Sequence, residues 1–367
     1  MSGPRYTKLV EGLPASVPFV SPDTQQRLRR APFVARLGAN ENGFGPSPRA
    51  IAAMAAAAPD TWMYGDELSF DLRTALAEKH AVTVDNIIVG EGIDGLLGNL
   101  VRLLVEADVD VVTSVGAYPT FNYHVNAFGG RLHTVPYRDD FEDLDGLAAM
   151  ARKTNAALVY LANPDNPMAS WHSGDAVKAF LDQLPENCLL CLDEAYVEFA
   201  PRGTSPEVDI NDPRLIRFRT FSKAYGLAGI RVGYGIATSD LISAFNKIRN
   251  HFGVNRLGQV AALAALEDQD WLNQTLDKVA AAKKRVSEIA RENHMTALPS
   301  ATNFVAIDPG RDADYAKAIV KACDDRHVFI RMPFAAPQNR CLRVSVGPPE
   351  QIELFAKALA GAVAELN

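Results

Sequence analysis

The chain has 367 residues, of which 48% are hydrophobic and 22% charged, and its formal net charge at pH 7 is -7. These proportions exclude disordered and fibrous classes and are typical of a folded chain with a large core. The negative charge argues against nucleic-acid or polybasic membrane partners, and the sequence has neither an apolar leader segment nor a run of 18 apolar residues. We expect a cytoplasmic protein that acts on small molecules.

The first strongly patterned segment is "GPSPRAIAAMAAAAPD", which predicts a helix. Ser47 can cap it, Pro48 suits its first turn, the alanines propagate it and Pro59 stops it. From about Asn86 onward, short apolar or β-branched runs alternate with helices, which is typical of a parallel sheet covered on both faces. The predicted strands are 86–90, 109–114, 156–163, 188–195, 215–221 and 232–237.

After about residue 270 the pattern changes to a long helix, a further helix, three short strands and a closing helix. The strands are predicted in "TNFVAID", "HVFIRM" and "CLRVSVG". The closing helix has apolar residues at steps of three or four, which form one stripe: Ile352, Phe355, Leu359, Val363 and Leu366. This part predicts a smaller α+β lobe.

Two of the four cysteines, Cys188 and Cys191, have C-x-x-C spacing within a predicted strand. Residues three apart on a strand point to opposite faces, so we interpret both as buried core thiols. Four cysteines in this length are too few for a disulfide framework.

One lysine lies between two hydroxyls and an arginine in "TFSKAYGLAGIRVGYG", residues 220–235. The glycines allow backbone to approach a ligand, and Thr220, Ser222 and Arg231 could hold a phosphate. Upstream, Asp193 ends a predicted strand, at the edge of a parallel sheet where ligands bind. A lysine that forms a Schiff base, with an aspartate that keeps a ring nitrogen protonated, indicates pyridoxal phosphate (PLP).

At these residues the chain resembles the fold-type I, class I/II, PLP-dependent aminotransferases, and most of all the histidinol-phosphate aminotransferase group. The motifs follow in the family's order: "LGANENGFGPSP", "MYGDELSFDLRTALA", "AYPTFNYH", "NPDNP", "DEAYVEF", "TFSKAYGLAGIRVGY", "SATNFV" and "CLRVSVG". The resemblance implies a three-layer α/β/α large domain with a mostly parallel sheet and a smaller α+β domain. We expect an N-terminal segment (1–40) that joins the small domain, a large PLP-binding domain (41–268) and a small C-terminal domain (269–367).

The resemblance also implies roles for residues around the cofactor ring. Lys223 would carry PLP as a Schiff base and move the proton between substrate and cofactor, which requires a lysine pKa near neutrality; low exposure and Arg231 would favour that. Asp193 would pair with the pyridinium nitrogen, and Tyr118 would stack on the ring. The residues implied to hydrogen-bond the phenolic oxygen are Tyr196 and Asn166. Without the motifs, both tyrosines could be core aromatics and Asn166 a turn residue.

At the phosphate end, backbone N–H groups after Gly92 would act with a helix that begins near Ile93, whose dipole favours an anion. The phosphate or cofactor contacts implied here are Gly92, Ile93, Asp94, Thr220, Ser222 and Arg231. The alternative for Arg231 is a surface cation, although its apolar neighbours predict partial burial and an anionic partner. Tyr64 would reach a phosphate in the neighbouring subunit, so the resemblance implies a homodimer.

Two short segments depart from the resembled group. Ile93 and Gly95 stand where serine and glutamate are usual, which removes a hydroxyl from the phosphate site but leaves the backbone donors. Met168 and Ala169 stand where threonine and glycine are usual. We expect both departures to lie close to the cofactor.

The glycines at 90, 92 and 95 also match the G-x-G-x-x-G spacing of dinucleotide-binding proteins. That fingerprint expects an acid at the end of the next strand, whereas Asp108 and Asp110 stand at its beginning. It also leaves Lys223, Asp193 and Asn166 unexplained, so an NAD site is disfavoured.

By resemblance, the reaction is transamination between an amino donor and a 2-oxo acid such as 2-oxoglutarate, with no metal. Arg343 would clamp a carboxylate or phosphate with its guanidinium fork, and Arg331 would be a second anion contact, which suits histidinol phosphate; an aromatic or other amino acid stays open. The alternative for Arg331 is an exposed strand-end cation.

Two rival functions are a PLP-dependent decarboxylase similar to threonine-phosphate decarboxylase and a non-catalytic cofactor-binding regulator. The second is disfavoured because no basic helix-turn-helix segment precedes residue 40.

Overall fold

The computed structural model describes residues 3–15 and 20–367. The helices are α1 (Lys8–Glu11), α2 (Pro22–Arg29), α3 (Pro48–Ala57), α4 (Phe70–His80), α5 (Gly92–Leu104), α6 (Pro119–Ala127), α7 (Leu144–Thr154), α8 (Gly174–Leu181), α9 (Ser239–Phe245), α10 (Arg256–Glu267), α11 (Gln269–Glu292), α12 (Ala313–Asp325) and α13 (Pro349–Leu366). The strands are β1 (Ala35–Arg36), β2 (Ile87–Gly90), β3 (Asp110–Ser114), β4 (Arg131–Val135), β5 (Leu158–Ala162), β6 (Leu189–Asp193), β7 (Leu215–Thr220), β8 (Gly233–Ile236), β9 (Thr296–Ala297), β10 (Phe304–Asp308), β11 (Val328–Phe329) and β12 (Leu342–Ser345).

The large sheet has seven strands in the order β2-β8-β7-β6-β5-β3-β4. Its strands are parallel except β8, which runs antiparallel to both β2 and β7. The sheet is therefore mostly parallel, as the resemblance implies, with β8 as its antiparallel strand. The physical reason is the connection: residues 221–232 between β7 and β8 contain no α-helix, and a parallel return needs a longer crossover.

The edge strand β4 was not predicted. Its sequence, "RLHTV", is mostly polar and only its last residue is buried. A strand with one neighbour does not show the continuous apolar run of the central strands, so hydrophobic pattern alone misses it.

Hydrophobic clusters cover both faces of this sheet. Cys191 packs with Leu97 and Leu100 of α5 on one face, whereas Cys188 packs with Leu147 of α7 and Phe180 of α8 on the other. Both thiols are buried and free, which confirms their assignment to the core on opposite faces. Each fully buried leucine of these clusters contributes about 1.5–3 kcal/mol.

The C-terminal part has its own core, around a three-stranded antiparallel sheet in the order β12-β10-β9. Ile352, Phe355 and Leu359 of α13 are buried there, as the stripe predicts. β1 lies parallel beside β11, which attaches the N-terminal segment to this part. None of the helices in the described residues has the length and apolar character needed to cross a membrane.

The fold places polar groups at one edge of the large sheet. Asp193 is the last residue of β6 and Thr220 the last of β7, and these neighbouring parallel strands end at the same edge. α5 begins two residues after β2 at that edge. The chain thereby brings a carboxylate, a hydroxyl and a helix N-terminus together.

Candidate active site

A cavity of about 320 Å³ lies at this edge, between the large sheet and the C-terminal part. It is lined by most of the predicted site residues: Ile93, Asp94, Tyr118, Asn166, Asp193, Tyr196, Thr220, Ser222, Lys223, Arg231, Arg331 and Arg343. Residues separated by up to 250 positions thus share one space, as their placement at strand ends predicts.

Lys223 follows β7 and is partly buried in the cavity wall. Its Nζ donates to the carbonyl oxygen of Asn40 at 3.1 Å and lies 5.4 Å from the centre of the Tyr196 ring. Burial, and then the positive charges of Arg343 and Arg231, lower the pKa of Lys223 to about 8. A substantial share of the amine is therefore neutral near physiological pH, as a nucleophile or proton carrier requires.

Asp193 is buried at the floor of the cavity. The hydrogen bonds it accepts come from two neutral groups, the Tyr160 hydroxyl at 2.8 Å and the backbone N–H of Ala195 at 2.9 Å. Burial raises the pKa of this carboxyl to about 6, against the opposing effect of those hydrogen bonds and of Lys223. A protonated ring nitrogen would supply the cationic partner that this carboxylate lacks.

The phosphate end of the cavity combines hydroxyls, an arginine and a helix start. Arg231 Nη1 donates to Ser222 Oγ at 3.2 Å, and the backbone N–H of Ser222 donates to Thr220 Oγ1 at 3.0 Å. Gly92 begins α5 with a φ of +76°, a conformation that residues with a Cβ rarely adopt, and the Arg231 guanidinium lies against it. The N-cap Glu91 makes no side-chain capping bond, which leaves the first N–H groups of α5 for an anion.

Arg231 is exposed, so the predicted partial burial is wrong. Its guanidinium reaches over the small residue Gly92 at the cavity mouth and bonds the Ala228 carbonyl on its outer side. Arg231 has a left-handed backbone with φ 61°, whereas its neighbour Val232 is buried and Ile230 is partly buried.

Arg343 of β12 also lines the cavity and reaches Asn166 of the large part. Its Nη1 donates to Asn166 Oδ1 at 2.7 Å and its Nη2 to the Gly38 carbonyl at 3.1 Å. Its Nε is buried and has no hydrogen-bond partner among the described residues. Burial is the main reason why the pKa of Arg343 falls to about 10. An anion in the cavity would compensate this charge.

Arg331 lies beside Arg343, since the two residues form an antiparallel backbone bridge. Its Nη2 donates to the Val20 carbonyl at 2.6 Å, and its guanidinium lies 5.3 Å from the centre of the Phe329 ring. The side chain is partly buried and lines the cavity, which contradicts the alternative of an exposed strand-end cation.

The model of the family described as aminotransferase class I and II matches residues 34–359. The chain belongs to this family. It is 35% identical over 370 residues to histidinol-phosphate aminotransferase 2 of Ralstonia nicotianae, covering 99% of this chain and 97% of that protein. The crystal structure of histidinol-phosphate aminotransferase from Sinorhizobium meliloti in complex with pyridoxal-5'-phosphate is 52% identical, with a TM-score of 0.96 and coverage of 100% and 99%.

This aminotransferase family membership confirms the fold-type I architecture, the PLP cofactor and the transaminase class. The structure of L-threonine-O-3-phosphate decarboxylase from Porphyromonas gingivalis also matches, with a TM-score of 0.75 and 18% identity, which shows a shared fold only. The described residues contain no cluster of three or more His, Cys, Asp or Glu able to hold a metal ion.

The donor set of the cavity fits PLP. One end offers N–H and hydroxyl donors with a cation for a phosphate, and the floor offers a buried carboxylate without a cationic hydrogen-bond donor. Lys223 lines the same cavity and has a lowered pKa. Lys223, Asp193 and Arg231 would thus hold the aldehyde, the ring nitrogen and the phosphate, and PLP would supply an electron sink for the substrate carbon.

Among the cavity residues that the sequence analysis missed, two have side chains that hydrogen-bond predicted site residues: Asn40 bonds Tyr196 and Tyr160 bonds Asp193. Asn40 is buried and lines the cavity with a left-handed backbone, φ 54°. It lies in the quoted motif "LGANENGFGPSP", where its residue type was a signal because asparagine tolerates that conformation. Tyr160 lies in the apolar run of β5. A tyrosine among buried aliphatic residues indicates that its hydroxyl has a buried hydrogen-bond partner, which here is Asp193.

Met168 and Ala169 do not line the cavity themselves, but Ala169 packs with Tyr196, which does. Met168 is buried against Ala306 and Cys341 of the C-terminal part, and the Ala169 carbonyl accepts from the Ala301 N–H at 2.9 Å. Both residues thus lie where the large sheet part meets the C-terminal part.

Tyr64 lies outside the cavity of its own chain. It is 79% exposed, and its ring centre is 4.9 Å from that of Phe252. Ile93, by contrast, is buried and lines the cavity beside the start of α5, as the sequence predicts.

Proposed function

We propose that this aminotransferase moves an amino group from histidinol phosphate, or a similar amine that carries an anionic group, to a 2-oxo acid such as 2-oxoglutarate. The supporting observation is Arg343, which lines the cavity while its hydrogen bonds go to the neutral groups of Asn166 and Gly38. The names of the similar enzymes from Ralstonia nicotianae and Sinorhizobium meliloti support the same substrate.

Lys223 would be the covalent anchor and the proton carrier. Its Nζ would take the proton from the substrate carbon that bears the nitrogen. It would then deliver a proton to the cofactor carbon that is joined to the same nitrogen. Asp193 would hold the ring nitrogen in its protonated form, and Tyr118 would stack on the ring. Burial raises the pKa of Tyr118 to about 12, so its hydroxyl stays protonated.

Tyr196 and Asn166 would hydrogen-bond the phenolic oxygen. Burial raises the pKa of Tyr196 to about 12, which keeps its hydroxyl a donor. Asn166 would also touch the substrate, since its Oδ1 already orients Arg343.

For the phosphate we propose the backbone N–H groups from Gly92 to Asp94 with Thr220, Ser222 and Arg231. Ile93 supplies only its N–H there, and its buried side chain packs on Leu96 and neighbours in the core. Arg343 and Arg331 would bind the anionic group of the substrate, with Arg343 as the bidentate fork.

A homodimer would complete the site, with Tyr64 reaching the cavity of the neighbouring subunit. Supporting this, large hydrophobic residues around Tyr64 are exposed: Trp62, Met63, Leu68, Phe70 and Phe252. Such a patch on the single chain is typical of a protein interface. The domain boundaries at 40/41 and 268/269 also stand as proposals.

The deciding experiment is an absorbance spectrum of the purified protein with PLP, recorded before and after histidinol phosphate is added. We expect a visible band from lysine-bound cofactor that shifts to the aminated form with histidinol phosphate and much less with histidinol, which lacks the phosphate. Equal responses to both amines would contradict an anion-selective site. Release of CO₂ from amino-acid substrates in step with turnover would favour decarboxylation instead.

A further inference from the structure

Asn40 connects three parts of the molecule in the cavity wall. It follows β1, and its backbone N–H donates to Ser345 Oγ at the end of β12 at 2.9 Å. Its carbonyl accepts from Lys223 Nζ at 3.1 Å and from Asn303 Nδ2 at 3.2 Å. Its side chain reaches the Tyr196 hydroxyl, with Nδ2 at 3.0 Å from the oxygen.

The hydrogen bonds determine which way the Asn40 amide points. Ser345 Oγ accepts from the Asn40 backbone N–H, and its hydroxyl proton is donated to Asn40 Oδ1 at 2.9 Å. In this arrangement Oδ1 accepts from Ser345, and the NH₂ side faces Tyr196. Both ends of the Asn40 amide thus have a matching partner.

This orientation has a consequence for Tyr196. A phenol has one proton, and its oxygen accepts from Asn40 Nδ2, so the proton remains for donation elsewhere. Tyr196 is buried but lines the cavity, so an acceptor in the cavity can take that proton.

We propose that Asn40 is a positioning residue that keeps the Tyr196 hydroxyl as a hydrogen-bond donor into the cavity while its carbonyl holds the amine of Lys223. This inference rests on the proposed function, in which Tyr196 donates to the phenolic oxygen of PLP. A fixed donor stabilises the anionic form of that oxygen, and so favours the unprotonated form of the lysine-bound cofactor.

The test is a pH titration of the visible absorbance of the holoenzyme, in the wild type and in Asn40→Gly. Glycine keeps the left-handed backbone and the carbonyl but removes the amide. We expect the pH midpoint to rise by about 0.5 to 1 unit, the effect of one hydrogen bond. In Asn40→Asp the midpoint should rise further, since a carboxylate would accept the Tyr196 proton and add negative charge near Lys223.

Asn155→Gly is the matched control. Asn155 has a φ of 50°, close to the 54° of Asn40, but is an exposed residue that ends α7 away from the cavity. It should leave the midpoint unchanged. The charged groups that act on Tyr196 and Lys223 are retained in every Asn40 variant except for the added carboxylate of Asn40→Asp: Arg343, Asp193, Asp165, Arg231 and Glu41.

A double-mutant cycle tests the route of the effect. In a Tyr196→Phe background, Asn40→Gly should shift the midpoint by much less than it does in the wild type. An undiminished shift, or no shift in the single variant, would overturn the positioning role. A fall in thermal stability with an unchanged midpoint would also overturn it, because that is the result of a purely structural role. A wild type without the visible band would refute the proposed function itself.

Discussion

Asp193 and Glu194 are adjacent carboxylates with opposite surroundings. Asp193 faces the cavity, accepts from neutral donors, and its pKa is raised by burial to about 6. Glu194 is fully buried in another environment, where Arg219 and Arg217 bond it at 2.8 and 3.1 Å and, against the effect of burial, lower its pKa to about 2. Asp193, which has no cationic hydrogen-bond donor, is therefore the carboxylate available to a ligand. Glu194, which is paired with arginines, stabilises the fold.

Two lysines also differ in whether they face the cavity, and replacing them should give the largest difference in activity. Lys223 and Lys283 are both partly buried, donate to a backbone carbonyl and have pKa values lowered by burial, but only Lys223 lines the cavity. Lys223→Ala should reduce kcat at least about 10³-fold. Lys283→Ala should retain activity per folded molecule. Comparable losses in steady-state assays of both variants would remove the distinction.

The two carboxylates should respond oppositely in unfolding experiments on cofactor-free protein. Glu194→Gln leaves two arginines without their partner and should lower the free energy of unfolding by about 3–5 kcal/mol. Asp193→Asn should raise it by on the order of 1–3 kcal/mol at pH 7. The folded pKa of Asp193 exceeds its unfolded value, so this cost is absent below about pH 4 and fully present above about pH 6.

We expect the opposite ranking for activity: Asp193→Asn should lose more activity than Glu194→Gln. Asp193→Asn should lose at least about 10²-fold in kcat because a neutral amide does not stabilise a protonated ring nitrogen. Glu194→Gln should keep the kcat of its folded fraction. Urea titrations and assays at equal folded concentration measure both quantities, and a stable, inactive Glu194→Gln would contradict the assignment.

The next largest effect concerns substrate binding by Arg343, whose buried Nε has no hydrogen-bond partner among the described residues. Arg343→Gln should raise KM for histidinol phosphate by about 10- to 100-fold, the effect of a charge-assisted hydrogen bond. Arg311→Gln, at an exposed arginine that bonds Asn367, is the control. If KM for histidinol, which lacks the phosphate, rose equally, the result would contradict binding of the substrate phosphate by Arg343.

The smallest effect concerns pH. The rate at which cofactor-free protein captures PLP should rise with pH as Lys223 loses its proton, with a midpoint at about pH 8. In Arg343→Gln the midpoint should move upward, because a positive charge that lowers the pKa of Lys223 is gone. Stopped-flow absorbance from pH 6 to 10 measures this, and a midpoint unmoved by the variant would show that Arg343 does not act on Lys223.

Much of the fold could be predicted from local pattern. The central strands are continuous apolar runs because both faces are covered, and α3 begins after Ser47, whose Oγ accepts from the N–H groups of Arg49 and Ala50. The convergence of Asp193 and Lys223 also follows from pattern, since β6 and β7 end at one edge. The direction of β8 and the edge strand β4 did not follow, because they depend on connection length and on having a single neighbour.

By itself, the sequence determined which residue types are available for PLP chemistry and, through strand ends and motifs, which of them meet. The tertiary structure decided which partners surround each of these residues and which of them face the cavity. Alternation along β6 puts Asp193 and Glu194 on different sides, but the register of the sheet alone selects which side faces the cavity. Partners distant in sequence, such as Asn40 for Lys223 and Arg217 for Glu194, are chosen by packing, which no local pattern records.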